Sequence, residues 1–423
     1  MTIARRIALL FLPLALVLAA CGDNDGPASG EGEDAAAPPV SEGPASGELT
    51  VWAMGAEGEK LSVLADAFME ENPDLTVTVT PTAWDVAHDK LVTSVAGDQA
   101  PDISQMGTTW MGEFAALGAL DPVPENIDPS AFFEGAYQTN VVDDTAYGVP
   151  WYVETRLLYY RTDIAEAAGI TEPPADWDAL KEMARAMKEE GGAENGIALG
   201  TGAGSWQQYL PLVWSNGGEV LTEDGEFALD SPEAVEALEF YASFFDEGLT
   251  SPQPEGFDIT QGFIQGTYPM FFSGPWHMGL INDQGGAEME GKWAIAPMPA
   301  KESATSFVGG SNLVVFAGSD NRDAAWKFVD YLTRPEVQSE WYAEVAALPS
   351  VQAAWEEGEL ASDEQLATFG QQLEDAKAPP PIPTWEEVAS AIDDQIERAT
   401  IGDASPEEAA AAMEERAESI GVG

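Results

Sequence analysis

From Glu48 onward the sequence alternates short apolar runs with amphipathic ones, and this alternation limits the chain to an α/β architecture more tightly than any other feature. Leu49–Trp52 reads as a short strand. Lys60–Glu71 sets Leu61, Leu64, Ala65 and Phe68 on one helical face until Asn72-Pro73 stops it, and Thr76–Thr80 alternates as a second strand. A helix over about Asp85–Val95 and a buried strand at Asp102-Ile103 continue the series. Past Tyr147-Gly148-Val149-Pro150 the pattern restarts. The spacing predicts a helix over 178–190 with Leu180, Met183, Ala184 and Met187 inward, then a strand at Gly196–Leu199. Glu223-Asp224-Gly225 turns a hairpin between Val220-Leu221 and Phe227, and Ser231-Pro232 opens a helix whose inner face is Ala234, Leu238, Tyr241 and Phe245. Strands follow near Tyr268–Phe272, Trp293–Ala296 and Asn312–Phe316, with a helix carrying Ala325, Phe328, Val329 and Leu332. Such alternation predicts parallel sheets with ligand sites at the carboxyl ends of the strands. Two α/β lobes account for the restart, and Pro379-Pro380-Pro381-Ile382-Pro383 predicts an extended strap between them, followed by helical sequence to about Ile420.

The segment before this pattern is of another kind. Arg5 and Arg6 precede an apolar run from Ile7 to Ala20 that is too short to span a bilayer of roughly 30 Å but has the length and charged leader of an export signal. Its end, Leu18-Ala19-Ala20-Cys21, resembles the bacterial lipobox, which implies cleavage after residue 20 and lipidation of Cys21. Residues 21–47 are Gly, Ser, Pro, Ala, Asp and Glu with almost no large apolar side chain, so a flexible acidic linker is expected. The partial calcium-loop pattern Asp23-Asn24-Asp25-Gly26 lacks the later ligands and belongs to that linker.

Composition then removes whole function classes. With 74 acidic against 17 basic residues and a net charge of −57, the surface has no basic patch for nucleic acid or an anionic membrane face. The same charge reads as a solubility device, and it also suits a saline habitat. One cysteine excludes an internal disulfide, and with only His88 and His277 as histidines no zinc or facial-triad cluster can be assembled. No P-loop, dinucleotide fingerprint or nucleophile motif is present, Gly200-Thr201-Gly202-Ala203-Gly204 lacking the context for either of the first two, so no cofactor and no catalytic residue are expected.

What remains is aromatic and acidic. Trp84, Trp110, Trp151, Trp206, Trp214 and Trp276 sit beside Gly, Pro or Asn at predicted strand ends, where an indole either stacks on the C–H face of a sugar ring or fills a gap between helix and sheet. Trp326, Trp341 and Trp355 lie in helical sequence and read as core. Glu57, in the turn after the first strand, is placed to accept hydroxyl hydrogen bonds or to stabilise a helix start through the dipole. Gln105-Met106-Gly107-Thr108-Thr109-Trp110 forms a second polar and aromatic loop.

The run Tyr147-Gly148-Val149-Pro150-Trp151-Tyr152-Val153-Glu154-Thr155-Arg156-Leu157-Leu158-Tyr159-Tyr160-Arg161 resembles the crossover segment of family 1 extracellular solute-binding proteins, which include maltose- and trehalose-binding proteins. Pro101-Asp102, Leu212–Gly218, Phe272-Ser273-Gly274-Pro275-Trp276, Gly309–Val315 and Ala347-Leu348-Pro349-Ser350 agree with it in order and spacing. The resemblance implies a type II periplasmic-binding-protein-like fold, with lobe 1 formed by 48–150 and 312–348 and lobe 2 by 151–311 and 349–423. It also implies a monomer that captures a carbohydrate between the lobes and delivers it to ABC transporter permease subunits from the outer side of the cell membrane. Carried over by position, Glu57, Trp84, Tyr152, Glu154 and Trp276 fall on sugar-contacting positions, and Gly310 and Ser311 on the return loop. Trp110 and Trp206 are further stacking candidates. Two departures stand out: the crossover carries Glu154 at a position that is commonly Asp and Arg156 at one that is commonly small, where it would bond ligand or pair with Glu154, and the return loop carries Ser311 where a larger residue is common. A polyamine-type solute in the same fold, and less so a glycosidase built on paired carboxylates, are the competing readings.

Overall fold

The computed structural model describes residues 37–253, 256–356 and 358–423. The export signal, Cys21 and the linker up to residue 36 lie outside the described residues. Residues 37–47 belong to the folded part and not to a free linker: Val40 N donates to Asn126 Oδ1 (3.1 Å), Ser41 N and Oγ donate to Asp323 (2.6 and 2.8 Å), and Ala45 N donates to Asn72 Oδ1 (2.7 Å). Small polar side chains cannot form a core, but they leave the backbone free to hydrogen-bond onto one that already exists.

The strands are β1 (Gly47–Met54), β2 (Leu75–Thr82), β3 (Ile103–Gly107), β4 (Val141–Val142), β5 (Thr145–Ala146), β6 (Val149–Thr155), β7 (Leu157–Arg161), β8 (Met270–Ser273), β9 (Trp293–Ala296), β10 (Ser306–Val315), β11 (Leu348–Pro349) and β12 (Ala376–Lys377). They form a seven-stranded sheet in the order β11-β6-β10-β3-β1-β2 with β12 on β10, a three-stranded sheet β8-β7-β9, and the hairpin β4-β5. The expectation of parallel sheets holds only for β1 with its neighbours β2 and β3, and for β12 on β10. Strand β10 runs antiparallel to β3 and β6, and the smaller sheet is antiparallel throughout. Apart from the local hairpin β4-β5, pairings beyond β3 join segments far apart in the chain, so strand direction follows the path of the chain between sheets rather than βαβ handedness.

Local signals place most elements. Helix Ser62–Glu71 buries Leu64, Ala65 and Phe68, with Leu61 buried at its cap. Helix Trp177–Glu189 starts where Asp176 accepts from Ala179 N (2.8 Å) and buries Leu180, Met183, Ala184 and Met187. Helix Pro232–Asp246 is capped by Ser231 and buries Ala234, Leu238, Tyr241 and Phe244, so Phe244 rather than Phe245 is the deepest ring at its end. Gly196–Leu199 makes a single bridge, Ala198 to Phe271, in place of the expected strand. The proline stretch is irregular and turns at its end, where Ile382 N donates to Pro380 O at 2.8 Å, rather than running extended throughout, and it closes tightly on its neighbour: a Cβ at Gly112 would lie 2.2 Å from Pro381 O. Two helices, Trp385–Thr400 and Pro406–Ile420, then complete an apolar core with the helix Trp206–Ser215.

Strands β6 and β10 run unbroken through the points at 150/151 and 311/312 where the sequence divides the lobes. The chain passes from the large sheet to the small one at Arg156, the single residue between β6 and β7.

Candidate functional site

At the carboxyl end of β1 the chain turns through Gly55, whose φ of +59° favours glycine, into the six-residue helix Gly55–Lys60 that carries Glu57. A Cβ on Gly55 would lie 3.0 Å from Trp84 Nε1 and 3.3 Å from Glu57 Oε2, so this glycine lets an indole N–H and a carboxylate crowd one point. Burial pushes the Glu57 carboxyl above its ordinary range, opposed in part by its own backbone N–H. Trp84, at the start of helix Trp84–Ala96, stands edge-on to Trp110 at 5.7 Å, and Trp110 edge-on to His88 at 5.2 Å.

Strand β6 presents Tyr152 and Glu154 on one side by its two-residue period. The Tyr152 phenol is held well above its ordinary pKa by burial, then by the Glu57 and Glu154 charges, with the Gln105 amide offsetting a part, so it stays protonated and able to donate. Glu154 Oε1 accepts from Arg156 Nη1 at 3.1 Å. A Cβ on Gly309 of β10 would lie 3.0 Å from the same oxygen, so a bare backbone is needed behind the carboxylate.

The opposite wall comes from helix Trp276–Gly285, which follows β8. A Cβ at Gly274 would fall 2.0 Å from the Trp276 ring, so glycine there lets the indole fold back over the strand end. Trp276 remains 43% exposed, the most exposed tryptophan among the described large apolar side chains. Glu57, Tyr152, Glu154 and Trp276 line one cavity of about 650 Å³, within the range usual for small-ligand sites. Met278, Leu280 and Asp283 extend that wall, and Tyr342 and Val345–Leu348 close the third side. The sequence reading did not single out Leu280 and Asp283. Their offsets of four and seven from Trp276 put them on its helical face, which is the signal that could have found them. Ala346, in the left-handed region at φ +55°, ends helix Pro335–Val345 and turns the chain along the cavity.

Other predicted site residues lie elsewhere. Trp84 and Trp110 form a separate aromatic patch beside Glu57 and do not line the cavity. Gly310 and Ser311 lie within β10 beneath it, with Ser311 fully buried and its hydroxyl donating to Met106 O at 3.3 Å. Trp206 is buried edge-on against Phe307 (5.6 Å) and Trp385 (5.3 Å). Arg156 is buried behind Glu154 and Trp276. A second cavity of about 660 Å³ lies under the proline strap, and its lining contains none of the predicted site residues. Among the described residues no His, Cys, Asp and Glu cluster is placed to hold a metal ion.

Two sheets joined by a direct crossing at Arg156, with an aromatic and acidic cavity between β6 and the helix after β8, define the class of two-lobed α/β binding proteins. The profile of the bacterial extracellular solute-binding protein family matches residues 53–339, and the chain belongs to that family, whose members bind substrates rather than transform them. It is 30% identical over 350 residues to a putative binding protein of Brucella abortus, covering 81% of this chain and 84% of the relative. It is 29% identical over 369 residues to the maltotriose-binding protein of Pyrococcus abyssi, covering 82% and 77%. The solved structure of the sugar-binding protein MalE from Xanthomonas citri superposes with a TM-score of 0.83 at 32% identity, covering 88% of this chain and 97% of MalE.

Proposed function

We propose that this chain captures a carbohydrate, a mono- or small oligosaccharide, in the cavity lined by Glu57, Tyr152, Glu154 and Trp276 and delivers it to the permease of an ABC importer. The observation that carries this reading is a half-exposed indole facing two carboxylates and a protonated phenol across one cavity. An apolar ring face meets the C–H face of a pyranose, while the acids accept from its hydroxyls and the phenol donates. Relatives named for sugars support it. Trp84 and Trp110 extend the aromatic surface beside Glu57 for a longer ligand, and Gly310, Ser311 and Trp206 shape the site from below. The crossing at Arg156 and the return segment from β9 into β10 serve as hinges, and a ligand touching both walls shifts the lobes toward closure by its differential affinity. The chain acts as a monomer, lipidated at Cys21 and facing outward from the cell membrane.

A second reading has one observation in its favour: the charged side chains lining the cavity, Glu57, Glu154 and Asp283, are all acidic, which suits a polyamine. Thermal shift with maltose, maltotriose, trehalose and spermidine separates the two, since a ligand that binds only the folded state raises Tm. The carbohydrate reading expects saccharide-dependent shifts that Trp276→Ala weakens by at least about 1–2 kcal/mol of binding free energy. A shift with spermidine alone would replace it.

A further inference from the structure

Arg156 is the single residue between β6 and β7, where the chain passes from the large sheet to the small one, and its side chain is only 10% exposed. Nη1 donates to Glu154 Oε1 at 3.1 Å and Nη2 donates to Gln207 Oε1 at 2.6 Å. Two rings lie against the guanidinium as well: Cζ lies 4.8 Å from the centroid of the Trp276 ring and 5.0 Å from that of Phe307. Phe307 stands edge-on to Trp206 at 5.6 Å and 79°, and Trp206 edge-on to Trp385 at 5.3 Å and 81°. The start of the Trp206 helix is pinned by Asp393, which accepts from Gly204 N, Ser205 Oγ and Trp206 N. A continuous column of rings thus runs from the core, through the guanidinium, to the indole that forms the cavity wall.

We propose that Arg156 is a positioning residue: clamped by Glu154, Gln207 and Phe307, its guanidinium backs the Trp276 ring and leaves that ring a single face for ligand. The inference rests on the cavity being the ligand site, and it names what makes the site selective. A half-exposed indole would otherwise lose rotamer freedom on binding. A ring already held against a planar cation does not. A planar guanidinium donates to Glu154 and Gln207 at once while lying against two rings, which the single ammonium of Lys does not reproduce, so Lys is not an equivalent. The positive charge is also paired with Glu154, so no uncompensated cation lines the cavity and Glu57 and Asp283 keep it net acidic. Neutral sugars are therefore accepted and anionic ones, such as uronates and sulfated saccharides, are rejected.

The test has a ligand-free part. The full chain is labelled with 5-fluorotryptophan, the Trp276 19F resonance is identified as the one missing from Trp276→Phe, and spectra are compared for wild type, Arg156→Met and Arg156→Lys. The expected result is a shifted and broadened Trp276 resonance in Arg156→Met, a smaller change in Arg156→Lys, and an unmoved Trp326 resonance. An unchanged Trp276 signal in a folded Arg156 variant overturns the proposal, and Arg156→Lys supplies the answer if Arg156→Met does not fold. The second part uses maltotriose and its uronate-terminated analogue. Arg156→Met should raise the Kd for maltotriose about tenfold in the wild-type background, the scale of a desolvated cation–π contact, and add nothing in the Trp276→Phe background. Additive losses would mean that Arg156 acts elsewhere, and tight binding of the uronate by wild type would overturn the selectivity. If maltotriose does not bind wild type, that sugar is excluded as ligand, and the 19F comparison still decides the role of Arg156.

Discussion

His277 follows Trp276 in the chain and is buried where that ring is exposed. Its Nδ1 lies 2.6 Å from Ser273 Oγ, and its ring stands edge-on to Phe271 at 5.0 Å and to Tyr159 at 6.1 Å. Burial, and after it the Arg156 charge, pushes its pKa down to about 4, with Asp258 opposing weakly. The folded state therefore resists protonation that the unfolded chain accepts near pH 6.5, so the stability contribution is complete above that pH and is lost as pH falls toward 4. The expected loss is about 2–3 kcal/mol. Other acids titrate in the same window, so the measurement is the difference between urea melts of wild type and His277→Gln across pH 7 to 4. Parallel curves would rule the assignment out. At this scale the sequence was informative about chemistry and less so about direction. Glu57, Tyr152, Glu154 and Trp276 were legible as a polar and aromatic set, and the structure brings them to one cavity. Trp206 had the same local credentials as Trp276, yet one is 8% exposed and the other 43%, because Phe307 and Trp385 arrive over Trp206 from distant parts of the chain.

Among the elements, β10 connects the parts of the site. It pairs with β3, β6 and β12, and its register against β6 shifts between Ser311 and Asn312. Gly310 makes this possible: its φ is +125°, and a Cβ there would sit 2.2 Å from Tyr152 O. Both the backbone conformation and the contact exclude a side chain, so Gly310→Ala is expected to destabilise the fold by about 3 kcal/mol or more and to displace Tyr152. Chemical denaturation checks the first effect, and loss of saccharide binding in the folded fraction checks the second. An unaltered midpoint would show that the strand relaxes freely. Helices were legible because caps and periodicity are local, as in the Ser231-Pro232 start and the inward spacing of Leu180, Met183, Ala184 and Met187. The direction of β10 was not, since a strand's partners lie outside its own sequence.

For the whole molecule the dominant quantity is charge. A net charge of −57 repels itself in the compact state, and the cations that could relieve it are few. Most are already engaged among the described residues, as in Lys60–Glu344, Arg185–Glu247, Lys301–Glu236 and Arg322–Asp121. Exposed pairs of this kind contribute about 0–1 kcal/mol each, less than the repulsion that salt screens. Raising NaCl from about 0.05 to 1 M is therefore expected to raise Tm by several degrees at pH 7, measured by calorimetry. A fall in Tm would mean that the ion pairs outweigh the repulsion. Lipidation is tested separately, by whether Cys21→Ser leaves the membrane fraction with unchanged saccharide affinity. The sequence by itself determined the α/β alternation, the helix starts and the acidic surface, because each depends on residue types and their order along the chain. Only the tertiary structure decided which tryptophan faces the cavity, that residues 37–47 lie on the fold, and that the charge of Arg156 is spent between Glu154 and two rings. Those outcomes depend on surfaces assembled from segments up to hundreds of residues apart, whose burial no local pattern encodes.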